Sequence, residues 1–139
     1  MFKVFWLLKR KPGVSHAQFR AHYEASHSQL AHKYFGHLMT GYHRNYVTAE
    51  MGATETADGV VTFGPREPEY DCIAEWMMPD EAAFDEINRI LAQPEVREIF
   101  NEDEKRFADR SAFRLVRVEV VDTGTGDGRL TLNAEKAAE

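Results

Sequence analysis

The chain is poor in cysteine, in positive charge and in long apolar runs, and each shortage excludes a class of protein. Its 139 residues include a single cysteine, Cys72, so no disulfide can form within the chain. Aspartate and glutamate number 23 against 17 lysines and arginines, which gives a formal net charge of −6. Because contacts with phosphates dominate the affinity of nucleic-acid binders, this acidic balance argues against a nucleic-acid partner. It disfavours an anionic membrane surface for the same reason.

The apolar run within residues 1–12 is too short for a secretory core or a membrane-spanning helix, so we expect a cytoplasmic protein with no membrane partner. The sequence also lacks a phosphate-binding glycine loop, a G-x-S-x-G elbow and an H-E-x-x-H pair. Nucleotide and flavin cofactors are therefore not indicated, and we expect no cofactor. Cys72 lies in an apolar stretch, where a buried, inert thiol is the better interpretation than a nucleophile.

The sequence is rich in histidine over one stretch, residues 15–38, which holds five of the six histidines. Ser15 is a suitable helix N-cap, and Gln18 three residues later completes a capping box. Gly36 marks the expected end of the helix. These signals predict one long helix.

A helical wheel at about 100° per residue predicts which side of this helix is buried. The predicted apolar stripe is formed by Phe19, Tyr23, Ser26, Leu30 and Tyr34. His27 lies at the edge of that stripe, His22 on its flank, and His32 points away from it. His27 and Tyr23 are therefore the candidates for a site on the buried side.

The histidines recur every five residues, at His22, His27, His32 and His37, which resembles a metal site. Five residues rotate a regular α-helix by about 500°, so successive histidines point about 140° apart. Two ligands on one helix normally need a spacing of four residues. We therefore expect no metal.

Alternating patterns predict strands at residues 2–9, 41–48, 70–78 and 112–121, and a second helix opens at Pro79 and resumes at Pro94. Residues 49–69 are predicted as a polar loop whose apolar residues 60–63 allow a small hairpin. The order strand, helix, strand, strand, helix, strand is typical of the α+β ferredoxin-like fold with a four-stranded antiparallel sheet. We expect one domain, residues 1–121, followed by a tail, residues 122–139. Since the strands carry apolar side chains on both faces, we expect a homodimer with the sheets back to back.

Three segments resemble the EthD-domain family of the dimeric α/β-barrel superfamily. Residues 19–27 are similar to its "F..HW...H" helix, residues 70–75 to its "YDGIAEL" strand, and residues 103–109 to its "DE..F.D" segment. Tyr23 replaces the usual Trp, Cys72 replaces the usual Gly, and the loop 49–69 is longer than is typical of the family.

The resemblance implies a small cofactor-free protein with a pocket between sheet and helices. The family includes proteins linked to ether degradation and dehydratases and decarboxylases of aromatic polyketide pathways. We therefore expect a lyase or isomerase of aromatic compound catabolism, which dehydrates, decarboxylates or cleaves a C–C bond in a small aromatic or polyketide-like substrate. Two alternatives stay open: a non-catalytic binding or accessory protein of an oxygenase pathway, and a cofactorless monooxygenase, which would consume oxygen.

His27 is the candidate general acid/base, because imidazole both accepts and returns protons near neutral pH. Tyr23 and His22 are expected to help it hold the substrate. The expected substrate-binding residues are Trp6, Phe5, Tyr34 and Trp76, together with Asp71 and Glu75. The two carboxylates are expensive to bury unpaired, so they are expected to bind Arg44, Arg114 or the partner subunit, or to orient a histidine. Asp103 is interpreted first as part of a helix-end charge cluster with Arg106 or Arg110, and second as part of a site.

Overall fold

A computed structural model describes residues 1–124, which form two sheets and a set of helices. In chain order the elements are β1 (Phe2–Leu8), α1 (His16–His22), a π-helical turn (Tyr23–His27), α2 (Ser28–Phe35), a 3-10 turn (Gly36–Leu38), β2 (Gly41–Tyr46), β3 (Glu50–Glu55), β4 (Val61–Arg66), β5 (Cys72–Met78), α3 (Glu81–Ala92), α4 (Pro94–Phe107), a second 3-10 turn (Arg110–Ala112) and β6 (Arg114–Val118). The predicted tail beyond residue 124 lies outside the described residues.

The main sheet has four antiparallel strands in the order β2-β5-β1-β6. β1 is central and pairs with β5 from Phe2 opposite Met78 to Leu8 opposite Cys72. This strand order belongs to the ferredoxin-like arrangement, in which each helix connects strands that are not direct neighbours. The predicted α+β fold is confirmed.

One face of this sheet, here called the inner face, carries the core. Along β5 the buried residues alternate, from Cys72 through Ala74 and Trp76 to Met78. Helical side chains cover them in two adjoining clusters, one around Phe19, Tyr23 and Phe107 and the other around Phe35, Ile87 and Phe100. Cys72 is completely buried, as predicted, and burial raises the pKa of its thiol to about 12.

The opposite face, here called the outer face, is half-covered. It presents Phe5, Leu7, Ile73 and Met77, none of which is among the buried core residues. Lys3 and Glu75 form an ion pair of 2.7 Å on this face.

The segment predicted as a loop at residues 49–69 is mostly a β-hairpin. Strands β3 and β4 pair from Glu50 opposite Arg66 to Glu55 opposite Val61 and form a separate two-stranded sheet. Gly59 adopts a φ of +83° in the connecting turn, a conformation that favours glycine. The sequence predicted at most a small hairpin around residues 60–63, whereas the strand pairing extends from residue 50 to residue 66.

The long helix begins as predicted but changes register in the middle. Ser15 accepts from the backbone of Gln18, and the Gln18 side chain accepts from the backbone of Ser15, which completes the capping box. The π-helical turn then adds a residue, since the N–H of Ser28 donates to the carbonyl of Tyr23 five residues earlier.

The added residue changes which side chains face the core in α2. Ala31 and Phe35 are 2% and 1% exposed, whereas Leu30 and Tyr34 are only half-buried. The helical wheel assumed a regular α-helix throughout and placed Leu30 and Tyr34 on the buried stripe. That prediction was therefore wrong beyond His27. The α-helix itself ends at Phe35, immediately before Gly36, as expected.

Candidate functional site

A cavity of about 240 Å³ lies between the inner face of the sheet and the helices. Most of its wall is aromatic or aliphatic, formed by Trp6, Leu8, Ala31, Phe35, Trp76, Leu91, Phe100 and Phe113. The polar lining consists of Tyr23, His27, Tyr42, Arg97, Asn101 and Glu104. Such a site, apolar with a few polar groups at fixed places, is typical of small-molecule binding.

His27 is held in the cavity wall by Asp103, which projects from α4. Nδ1 of His27 lies 3.0 Å from Oδ2 of Asp103, and the imidazole side chain is 14% exposed. In the neutral imidazole, the ionised carboxylate holds the single ring proton on Nδ1, and Nε2 then keeps its lone pair. Nε2 has no hydrogen-bond partner within residues 1–124, so it is free to accept a proton from a bound molecule.

Asp103 is buried and accepts from three side chains of the long helix. Besides His27, Nε2 of His22 lies 3.0 Å from Oδ1, and the Ser26 hydroxyl donates to the same oxygen at 2.6 Å. Burial by itself would raise the pKa of Asp103, but the hydrogen bonds from His27, Ser26 and His22 outweigh it and lower the pKa to about 2. The carboxylate is therefore ionised at any physiological pH.

The π-helical turn explains how His22 and His27 reach one carboxylate. On a regular α-helix, five residues separate two side chains by about 140°. The wider turn between Tyr23 and His27 reduces that rotation, and both rings contact Asp103. Turns of this kind frequently occur at functional sites. Within the described residues, no group of three or more His, Cys, Asp and Glu side chains is arranged to hold a metal ion.

Two tyrosine hydroxyls form a second polar point in the wall. Tyr23 Oη and Tyr42 Oη are 2.8 Å apart, and the rings of Tyr23 and His27 meet edge to face at 5.4 Å. Burial raises the pKa of both phenols, so both keep their protons at neutral pH. In such a pair one hydroxyl donates to the other, which leaves one O–H for a ligand oxygen.

Three residues of α4, Arg97, Asn101 and Glu104, line another side of the cavity at helical spacing. Burial raises the pKa of Glu104. Arg110 contacts two of these residues. Its Nη2 donates to Oδ1 of Asn101 at 2.7 Å, and its Nε lies 3.6 Å from Oε1 of Glu104. Arg97 forms no ion pair with another residue in the described part of the chain. The cavity wall thus carries an exposed arginine, Arg97, and a carboxyl group, Glu104, whose pKa is raised.

The structure brings together some of the predicted site residues and separates others. His27, Tyr23, Trp6 and Trp76 line the cavity. The following predicted residues lie outside it: His22, Phe5, Tyr34, Asp71 and Glu75.

Each of these has a different environment. His22 reaches the site only through Asp103, and Tyr34 packs edge-on against the ring of Phe100. Phe5 lies on the outer face opposite Glu75. The pocket role predicted for Phe5 therefore has no place in this cavity.

Neither acidic residue binds the predicted arginines, but each lies beside a histidine, His16 for Asp71 and His43 for Glu75, which was another of the predicted alternatives. Binding to a partner subunit stays a prediction. Asp71 accepts from the backbone of Arg10 at 2.8 Å and contacts Nδ1 of His16 at 2.9 Å, and it contacts neither Arg44 nor Arg114. Glu75 pairs with Lys3. Arg44 instead binds Glu24 through two nitrogens and thereby lowers the pKa of that carboxyl group.

Asp103 does not form the predicted helix-end charge cluster with Arg106 or Arg110. Its partners are the histidines and the serine of the long helix. The sequence contains a signal for this role, since Val96, Phe100 and Phe107 form the buried stripe of α4 and Asp103 falls on the same stripe. A lone acidic residue at a core position requires a buried partner. Tyr42, Phe35 and Glu104 were missed because nothing local marks them as cavity residues.

The fold and the site together define a class: a small α+β protein whose sheet and helices enclose an aromatic cavity next to a buried carboxylate–histidine pair. The family model of the EthD domain matches residues 11–111. The chain therefore belongs to the EthD domain family.

Solved structures agree with this fold. An ethyl tert-butyl ether D (EthD) family protein from Bacillus halodurans is similar with a TM-score of 0.54 and 16% identity, covering 87% of this chain and 100% of that one. A hypothetical protein from Arabidopsis thaliana, known from a solution structure, has a TM-score of 0.51 and 15% identity, covering 88% and 90%. At such identities the likeness shows the fold alone. Among curated proteins, none matches the chain. No helix in residues 1–124 has the length and apolarity needed to cross a membrane.

Proposed function

We propose that this protein is a cofactor-independent lyase or isomerase that moves a proton on a small aromatic or polyketide-like compound bound in the cavity. The observation that carries the proposal is the 3.0 Å contact between Nδ1 of His27 and the buried carboxylate of Asp103. It leaves Nε2 as a base in a wall that is mostly aromatic or aliphatic. An imidazole oriented by a carboxylate is a recurring arrangement for general acid/base catalysis.

In the proposed mechanism, Nε2 of His27 takes a proton from the substrate, and Asp103 stabilises the imidazolium that forms. Asp103 and His22 act as positioning residues, because neither lines the cavity. The tyrosine pair donates its free O–H to the oxygen on which negative charge develops. The imidazolium then returns the proton to another substrate atom, which completes an isomerisation or expels water, carbon dioxide or a carbon fragment.

The size and the lining of the cavity support an aromatic substrate. An apolar cavity of about 150 Å³ binds benzene, so about 240 Å³ accommodates a substituted ring. The rings of Trp6 and Trp76 lie 5.4 Å apart, and the rings of Phe35 and Phe100 stack at 5.7 Å. Offset and edge-on contacts with such rings favour a planar ligand.

The proposal includes a homodimer in the cytoplasm. Its support is the outer face, where Phe5, Leu7, Ile73 and Met77 stay half-exposed in the single chain. A second sheet packed on this face would bury them.

The test measures proton exchange, because exchange can be detected without knowing the product in advance. Small phenols, lactones and aromatic ketones are screened for thermal stabilisation, and each hit is incubated in D₂O with protein while its mass is followed. We expect wild type to introduce deuterium at an acidic C–H or to release product, and His27→Ala to bind the compound without exchange. His32→Ala is the matched control, since His32 is exposed on the same helical segment. Ala31→Leu replaces a methyl group in the cavity wall by a larger side chain that fills part of the cavity, so it should abolish binding itself.

Three outcomes would overturn the proposal. Exchange that continues in His27→Ala would remove His27 from the chemistry. Hits that bind wild type with neither exchange nor product would favour a binding module. Oxygen consumption, followed in parallel with an electrode, would instead indicate a cofactorless monooxygenase.

A further inference from the structure

The β3–β4 hairpin has one apolar face that nothing among residues 1–124 covers. Cross-strand pairs place Met51 beside Pro65, Ala53 beside Phe63, and Glu55 beside Val61, all on one face. The other face carries small and polar residues, among them Thr54 and Thr62. On the apolar face, Met51 is 54%, Val61 52% and Phe63 68% exposed.

Such a hairpin is not expected to stand alone. No hairpin residue belongs to either core cluster of the described chain. A lone two-stranded hairpin is marginally stable in water, and an exposed apolar patch that includes a phenylalanine marks an interaction surface. The apolar face therefore needs an occupant.

The edge strand β6 has matching properties on the same chain. All five of its residues are exposed. Val116, 40% exposed, and Val118, 37% exposed, lie on the outer face of the sheet, whereas Leu115 lies opposite Trp6 on the inner face. Arg114 pairs opposite Leu7 and so belongs to the outer face of the sheet. In the described part of the chain, the Arg114 side chain has no ion pair or hydrogen bond.

The charges of the two surfaces are complementary. Glu55 lies on the apolar face of the hairpin opposite Val61, and its carboxylate has no ion pair among residues 1–124. An apolar strip with one unpaired acid thus exists on the same chain as an apolar strip with one unpaired base. In a dimer with two-fold symmetry, any contact between these two surfaces forms twice, because each chain supplies one surface to the other chain.

We propose that the hairpin is an arm whose apolar face packs on β6 of a second copy of this chain, with Glu55 against Arg114 of the partner subunit. This inference rests on the homodimer of the proposed function and is independent of the catalytic assignment. It gives the segment 49–69, which the resemblance predicts to be longer than is typical of the family, the role of joining the subunits.

Sedimentation equilibrium over a range of concentrations tests the arm. We expect wild type to dimerise and Phe63→Gln to raise the dimer dissociation constant at least tenfold. Thr62→Gln is the matched control, because Thr62 is next to Phe63 in the strand but its side chain lies on the opposite face of the hairpin. This substitution should leave the dissociation constant unchanged. Glu55→Arg and Arg114→Glu should each weaken the dimer, and combining them should restore most of the loss. Thermal melts of each variant at low concentration verify that the fold is intact.

The outcomes separate the arm from the proposals on which it rests. A dimer that Phe63→Gln leaves unchanged would overturn the arm while the homodimer stands. Wild type that stays monomeric at every concentration would overturn both. Failure of the double charge reversal to restore dimerisation would overturn the contact between Glu55 and the partner's Arg114. Deuterium exchange at the His27 site, measured on the same variants, reports the catalytic proposal separately.

Discussion

The two faces of the main sheet have similar strands but very different surroundings. On β1, Val4 and Leu8 are buried against the helices, while Phe5 and Leu7 between them stay half-exposed. The inner face encloses the cavity and the buried Asp103, and the outer face carries an ion pair of 2.7 Å between Lys3 and Glu75. Because hydrogen bonds strengthen and unpaired polar groups become costly away from water, polar substitutions near the inner face should have large effects and those on the outer face small ones.

The largest effect is expected for Asp103→Ala. The change leaves His22, Ser26 and His27 without their shared acceptor, and unpaired buried polar groups cost roughly 1–3 kcal/mol. We expect the free energy of unfolding to fall by about 2–3 kcal/mol and any proton-transfer rate to drop on the order of a hundredfold or more. Urea unfolding and the exchange assay measure the two effects.

Asp103→Asn is the matched control for shape. It keeps the size of the side chain but supplies only one acceptor oxygen, so its effect on unfolding should be smaller than that of Asp103→Ala. Equal stability of wild type and Asp103→Ala would mean that the buried carboxylate contributes nothing to the fold.

A smaller, pH-dependent effect follows from the same carboxylate. Its pKa falls from an ordinary 3.8 to about 2 on folding, so its contribution to stability is complete above about pH 4 and is lost as the pH falls through about 2. Since Glu24 and Glu75 also have lowered pKa values, wild type must be compared with Asp103→Asn. We expect the stability difference between the two proteins to shrink between pH 4 and pH 2. A constant difference would contradict the assigned cause.

The smallest effect is expected on the outer face, for Glu75→Gln. Glu75 and Lys3 form a single ion pair on the half-covered outer face, and glutamine keeps the shape of Glu75 and one acceptor oxygen for Lys3, so the loss should not exceed the roughly 1 kcal/mol of a solvent-accessible pair. We expect a loss of about 0.5 kcal/mol in the free energy of unfolding of the single chain and no change in exchange at the cavity. If the loss grows with protein concentration, the outer face is buried by a second copy, and the contrast between the two faces disappears on assembly.

Much of the fold could be predicted because its signals are local. The capping box at Ser15 and Gln18 involves residues three apart, and the four strands and their order followed from alternation and turns. Phe19 and Tyr23 were correctly predicted as buried, since a regular helix describes the chain up to that point. The hairpin was underestimated because exposed strands with threonine, glycine and proline resemble a loop in composition.

The candidate site was harder to predict because it joins distant parts of the chain. His27 and Tyr23 were identified on the helix itself and line the cavity, although their roles stay predictions. Asp103 could have been recognised as an acid at a core position of α4. The partners of Asp103 could not have been predicted, because they lie 76 to 81 residues away along the chain.

The sequence by itself determined the order of the main-sheet strands and of the helices between them, the start of the long helix and its burial as far as Tyr23, because these depend on periodicities within a few residues. The tertiary structure alone decided the register of α2, the meeting of two histidines on Asp103 and the cavity beside them. A π-helical turn adds one residue without a composition that marks it, and it rotates everything that follows. A buried carboxylate takes its partners from whichever element packs against it, and that is settled only when the helices and the sheet come together.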